Sequence, residues 1–103
     1  MKAKISLSKL MEKTRTIPVS FDGVTFDITY RVHALTPEFF AKEYLWQQLP
    51  LIIVGWEIGD EEKNGEVLPV TEAICRRLPT ELQRSIIDAC FEDARGPREE
   101  EKN

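Results

Sequence analysis

The sequence predicts a single small α+β domain, an N-terminal β-hairpin over about 16–33 packed against three to four α-helices, all within residues 1–96. Three observations predict it. Residues 17–32 alternate apolar and polar with one break at Asp22-Gly23. Proline, threonine and leucine-proline steps then punctuate four helix-patterned stretches, and no repeat or low-complexity block interrupts them. Finally, 103 residues with 42% hydrophobic and 31% charged side chains have the size and make-up of one ordinary folded domain.

The hairpin is the most tightly specified element. Ile17, Val19 and Phe21 precede the Asp-Gly pair, and Val24, Phe26, Ile28, Tyr30 and Val32 follow it on alternate positions. A two-residue type I′ turn at Asp22-Gly23 pairs Phe21 with Val24, Val19 with Phe26 and Ile17 with Ile28, so each apolar side chain faces another. Pro18 has no N–H for a ladder, which places the first strand at a sheet edge or beside a bulge. Ser20, Thr25, Asp27, Thr29 and Arg31 fall on the opposite, solvated face.

A short helix is expected ahead of the hairpin. After it, Thr36 is a good N-cap, Pro37 suits the first helical position and Glu38 favours the positive helix end, giving a helix over about 37–48. Phe40, Tyr44 and Gln48 form one stripe of it while Phe39 and Trp46 lie roughly opposite, so it is apolar on more than one side. Residues 51–54 are a short aliphatic run whose periodicity fits helix or strand. Helix is favoured, with Pro50 opening it and Gly55 turning the chain behind it. An acidic, solvated turn ends at Asn64-Gly65. Thr71 caps a short helix to about Leu78, and a last helix beginning near Pro79 carries Leu82, Ile86, Ala89 and Cys90 on one face until Gly96 and Pro97 stop it. The acidic tail 97–103 is expected to be disordered.

Charge is uneven. The net value of -4 comes from residues 57–66, where five acids stand against one lysine; the remainder balances. Residues 1–15 hold Lys2, Lys4, Lys9, Lys13 and Arg15 against Glu12 alone. This basic arm supports a secondary reading as a small regulatory or nucleic-acid-associated module, although phosphate affinity grows with each neutralised charge and the basic surface is small.

Catalytic chemistry finds little support. His33 is the single histidine and sits on the polar face at a strand end; a Cys-His pair is left open by sequence alone. Cys75 and Cys90 lie in apolar helical stretches and read as free, small hydrophobes rather than zinc ligands or a disulfide. The acidic turn lacks the calcium-loop pattern, and Gly55 and Gly59 are too isolated to cradle a phosphate. No cofactor or metal is implied, and the chain reads as a binding protein rather than an enzyme. The aliphatic run at 49–54 falls far short of the ~20 residues that cross a bilayer, and "MKAKISLSKL" lacks a signal-peptide core. Phe39, Trp46 and Trp56 are the candidate protein-binding residues, because bulky aromatics anchor interfaces.

The stretch "LIIVGWEIGDEEKNGEVLPVTEAICRRLPTELQRSIIDACFED" resembles the tail assembly chaperones of long-tailed bacteriophages and prophages. The shared features are an aliphatic run into Gly55-Trp56, an acidic glycine-containing turn, Leu68-Pro69, Thr71-Glu72, and a Leu-Pro step into a last helix with Ile86 and Ile87. They cover about half the chain, and none is catalytic. The resemblance implies a small protein of the bacterial host cytoplasm, absent from the mature virion. It binds the long tape measure protein and assists polymerisation of tail tube subunits around it. It also implies two products related by a ribosomal frameshift, of which this chain is the short one. A homo-oligomer is left open.

Overall fold

A computed structural model describes residues 4–60 and 65–95. The tail 97–103, the helix stop at Gly96-Pro97 and most of the acidic turn lie outside the described residues. The elements are α1 (Leu7–Glu12), β1 (Thr14–Phe21), β2 (Val24–Arg31), α2 (Pro37–Ala41), α3 (Leu45–Ile52), β3 (Ile53–Trp56), β4 (Gly59–Asp60), β5 (Glu66–Val67), α4 (Glu72–Arg77) and α5 (Thr80–Arg95). The architecture is α+β, with a three-stranded antiparallel sheet in the order β1-β2-β3 and a separate two-stranded ribbon, β4-β5.

The hairpin has the register that its alternation dictates: Ile17 opposes Ile28, Val19 opposes Phe26 and Phe21 opposes Val24. Asp22 and Gly23 adopt φ of 54° and 80°, the two positive values a type I′ turn requires. β1, with Pro18, is an edge strand. On the outer face, hydroxyl pairs span the strands, Thr16 to Thr29 and Ser20 to Thr25, both at 2.8 Å. The inner face grades from wholly buried at Tyr30 and Ile28 through half-buried Phe26 to exposed Val24, so the turn end projects beyond the core.

The region after the hairpin departs from the expected single helix over 37–48. α2 begins as expected, with Thr36 Oγ1 accepting from the Phe39 N–H at 3.3 Å and Pro37 in the first turn. It ends at Ala41, Lys42 turns extended, and α3 restarts at Leu45 with Gln47 Oε1 accepting from the Tyr44 N–H at 3.2 Å. The reason is angular. At 100° per residue, Ile52 in a continuous helix would point about 140° away from Phe39, yet both are fully buried. Breaking the helix re-aims the second half. Pro50 lies inside α3 rather than opening it, at the cost of one backbone hydrogen bond.

Residues 51–54 are divided. Leu51 and Ile52 close α3, whereas Ile53 and Val54 enter β3, which pairs antiparallel with β2. Tyr30 opposes Ile53 but Thr29 opposes Gly55, so Val54 is an extra residue in a β-bulge. The bulge shifts side-chain parity, and Ile53 and Trp56, three residues apart, both face the core. Gly55 is therefore a strand residue and not the turn; further on, Gly59 opens β4 and Gly65 leads into its antiparallel partner β5. A side chain at Gly59 would meet the Gly65 and Glu66 carbonyl oxygens at 3.0 and 3.1 Å, and Gly65 has φ of 75°.

α4 and α5 follow the sequence reading. Thr71 Oγ1 accepts from Ile74 N–H at 3.2 Å, and α5 buries Leu82, Ile86, Ile87 and Cys90 against β1 and α3. Gln83, also buried, donates from Nε2 to the Cys75 and Leu78 carbonyls at 2.8 and 2.9 Å, satisfying the end of α4. No described helix is long and apolar enough to cross a membrane.

Replacing Gly23 with Val should destabilise the protein by roughly 1–3 kcal/mol, because a β-branched side chain resists φ of 80°. Thermal denaturation followed by circular dichroism reads this directly; an unchanged melting temperature would contradict the turn assignment.

Candidate functional site

The three candidate contacts are not brought together. Phe39 is 0% exposed, its ring edge-on to Phe40 at 5.1 Å and to Phe91 at 6.1 Å. Trp56 is 6% exposed, and its indole N–H donates to the Leu68 carbonyl at 2.7 Å, closing the β4-β5 ribbon onto the sheet. Both are core side chains, out of a partner's reach in this conformation. Trp46 alone of the three is half-buried at the surface. It stacks on Tyr44 at 5.6 Å and 8°, with the Arg76 guanidinium 5.1 Å from its ring centre.

The more apolar concavity lies elsewhere. A groove of about 480 Å³ runs between α2 and α5, with Leu35, Phe40, Phe91 and Ala94 as its apolar wall and Asp88, Glu92 and Arg95 as its polar one. Phe40, adjacent in sequence to the buried Phe39, is 59% exposed and stands 6.4 Å from Phe91. Successive helical residues diverge by 100°, so one phenyl ring plugs the core while the next is presented to solvent. The second hollow, about 450 Å³, is more polar and includes Tyr44, Trp46, Arg76, Gln83 and Arg84.

Sequence reasoning missed Leu35, Phe40 and Phe91 as site residues. A signal existed. Phe91 sits 100° beyond Cys90, off the Leu82–Ile86–Cys90 stripe, and Phe40 opens the Phe40–Tyr44–Gln48 stripe, 100° round from the buried Phe39, so both are bulky apolar residues off the core-facing line.

Ionisable groups inside the protein are held neutral. Burial first, then Glu72's charge, pushes the Cys75 thiol up to about 11; burial first, then Asp93, pushes Cys90 up to about 12. The Tyr30 phenol is raised well above its usual value, mainly by burial and then by donating a 2.5 Å hydrogen bond to Asp93 Oδ2. That same carboxylate oxygen pairs with Arg15 at 3.2 Å. Both thiols are free and buried, whereas His33 is exposed, so no accessible Cys-His pair is formed. Neither cysteine has the lowered pKa of a nucleophile.

No family model, curated protein or solved structure matches this chain. The functional reading therefore stands on the residues and their geometry.

Two outcomes are expected for the thiols. Native protein at pH 8 should resist a thiol-specific reagent that labels both cysteines on denaturation; rapid labelling of the folded protein would contradict their burial. Since folding favours the neutral thiols, their stabilising contribution is complete below the ordinary value of 9.0 and is lost as pH rises towards 11 and 12. Denaturant midpoints should fall over that interval, and the Tyr30 phenol, raised from its ordinary 10.0, adds to the fall above that pH.

Proposed function

We propose that this protein is a tail assembly chaperone of a long-tailed phage or prophage, acting by binding and not by catalysis. In this reading it works in the bacterial host cytoplasm, holds apolar helices of the tape measure protein and releases them as tail tube subunits polymerise around that client. The observation that carries the reading is the exposed aromatic groove between α2 and α5, where Phe40 and Phe91 offer apolar area beside Asp88 and Glu92. A concavity with a few apolar rings and convergent polar groups is the kind of surface on which an apolar helix seats. The motif resemblance over the second half of the chain supports the same class of protein.

The candidate contacts are revised accordingly. Phe40 and Phe91, with Trp46 at the neighbouring hollow, are the client-facing residues; Phe39 and Trp56 hold the fold. A tape measure helix would present apolar side chains at i, i+3, i+4 and i+7 to the phenyl rings, the usual way an amphipathic helix fills a groove.

Co-expression with a cognate tape measure protein should keep that client soluble, whereas the client alone should aggregate through its exposed helices. Phe40→Ala should leave the chaperone folded and weaken the complex by about 1 kcal/mol or more, roughly fivefold in Kd. Phe39→Ala should instead cost about 3–5 kcal/mol of stability. Circular dichroism separates the two, and failure of the unmutated protein to bind or solubilise the client would overturn the reading.

A further inference from the structure

α5 carries a row of polar side chains that runs through both concavities. Thr80, Arg84, Asp88 and Glu92 follow at intervals of four, so the row winds slowly along one side of the helix. Thr80 and Arg84 line the hollow, and Asp88 and Glu92 line the groove. The opposite bank is continuous too. Phe40 of α2 stands in the groove and Tyr44, four residues on, stands in the hollow, 59% and 50% exposed. Groove and hollow are therefore two ends of one trough along α5, whose 16 residues span about 24 Å.

The trough has an electrical polarity. Its hollow end carries Arg84 and Arg76, the latter held 5.1 Å from the Trp46 ring centre, with Glu43 as the lining acid. Its groove end carries Asp88 and Glu92, with Arg95 as the lining base. Arg76, Arg84, Asp88 and Glu92 are all exposed, and none of them forms an ion pair among the described residues. Arg84 and Asp88 are one turn apart, but a base preceding an acid is the weaker order for a pair within a helix. Their charges stay available to a partner. Apolar lining continues past them from Leu35 and Ala94 at one end to Leu45 and Leu78 at the other.

We propose that the trough selects an amphipathic helix of about four turns with segregated charges. Such a helix carries an apolar stripe throughout, acidic residues beside the stripe in the half over Arg76 and Arg84, and basic residues in the half over Asp88 and Glu92. The inference rests on the reading of the groove as a client site, and it adds the rule by which a client helix is chosen and aligned. The stripe supplies apolar contact, and the two charged ends set register, because a helix of mixed or uniform charge brings like charges together at one end or both. An acidic first half and a basic last half also suit the dipole of the partner helix itself, which then runs parallel to α5.

The test uses the full chain and two labelled peptides of about 15 residues with one composition and the same leucines at helical spacing. One has glutamates in its first half and lysines in its second; the other alternates them. Fluorescence anisotropy should give the segregated peptide the lower Kd, by roughly fivefold or more at low salt, with the ratio closing towards one as salt is raised. Arg84→Glu and, from the other end, Asp88→Lys should each remove that ratio without altering the circular dichroism spectrum. Arg84→Glu should also bind a peptide with lysines in place of the glutamates more tightly than the unmutated protein does. Phe40→Ala should weaken both original peptides alike, which puts them in the trough. Comparing ratios between proteins cancels any difference in helicity between the peptides. Equal affinity of the unmutated protein for the two, no binding of either, or a preference that survives both charge reversals would overturn the proposal. A dimer of the protein alone that Arg84→Glu dissociates, with neither peptide bound, would assign the trough to a second copy and overturn it as well. Failure of a tape measure protein to bind would count against the chaperone reading, whereas loss of the peptide preference counts against the charge rule alone.

Discussion

The segment from Leu49 to Trp56 has to be buried twice, once as helix and once as strand, and the rest of the fold is arranged around that requirement. Leu49 and Ile52 pack as successive turns of α3 against α4 and α5, while Ile53 and Trp56 line the sheet beside Ile28 and Tyr30. The change of period happens between two adjacent isoleucines. It works because the bulge at Val54 restores the inward direction of Trp56 after an odd step. Arg31 fastens the junction from the neighbouring strand, donating from Nη1 to the Leu51 carbonyl at 3.2 Å.

Polar groups close the margins of this core where apolar packing ends. Asp93 accepts from Tyr30 and Arg15 and so ties α5 to both hairpin strands. Trp56 ties the sheet to the loop at Leu68, and Gln83 completes α4 from α5. Among the described residues no buried side-chain nitrogen or oxygen is left without a partner. The Asp93 bonds join elements distant in sequence, whereas the buried Trp56 and Gln83 bonds satisfy groups whose unmet hydrogen bond would cost about 1–3 kcal/mol.

Phe39 and Phe40 show how the same chemistry serves two ends. One ring fills the core and holds α2 against α5; its neighbour, one helical step round, stands exposed in the groove. The groove is consequently built on a core residue, because exposed Phe40 and half-buried Phe91 both meet the buried Phe39 ring edge-on and tilt against each other. A surface of this kind holds apolar area ready for a helical partner without an ordering cost at the site. The acids beside it keep that area hydrated and favour a partner with basic flanks.

What the sequence determined by itself was local. The hairpin register, the Asp22-Gly23 turn, the edge position of β1, the Thr36 and Thr71 caps and the buried face of α5 all follow from interactions within a few residues or across one tight turn. Their signals therefore survive in the string of letters. What the tertiary structure decided was direction: where the helix over 37–48 breaks, that 51–54 is divided between α3 and β3, and which aromatic faces inward. An exposed ring and a buried ring have the same propensity and similar spacing. The difference between Phe39 and Phe40, or between Trp56 and Trp46, lies in which surface the neighbouring elements cover, and that depends on contacts with β2 and α5 that no local window contains.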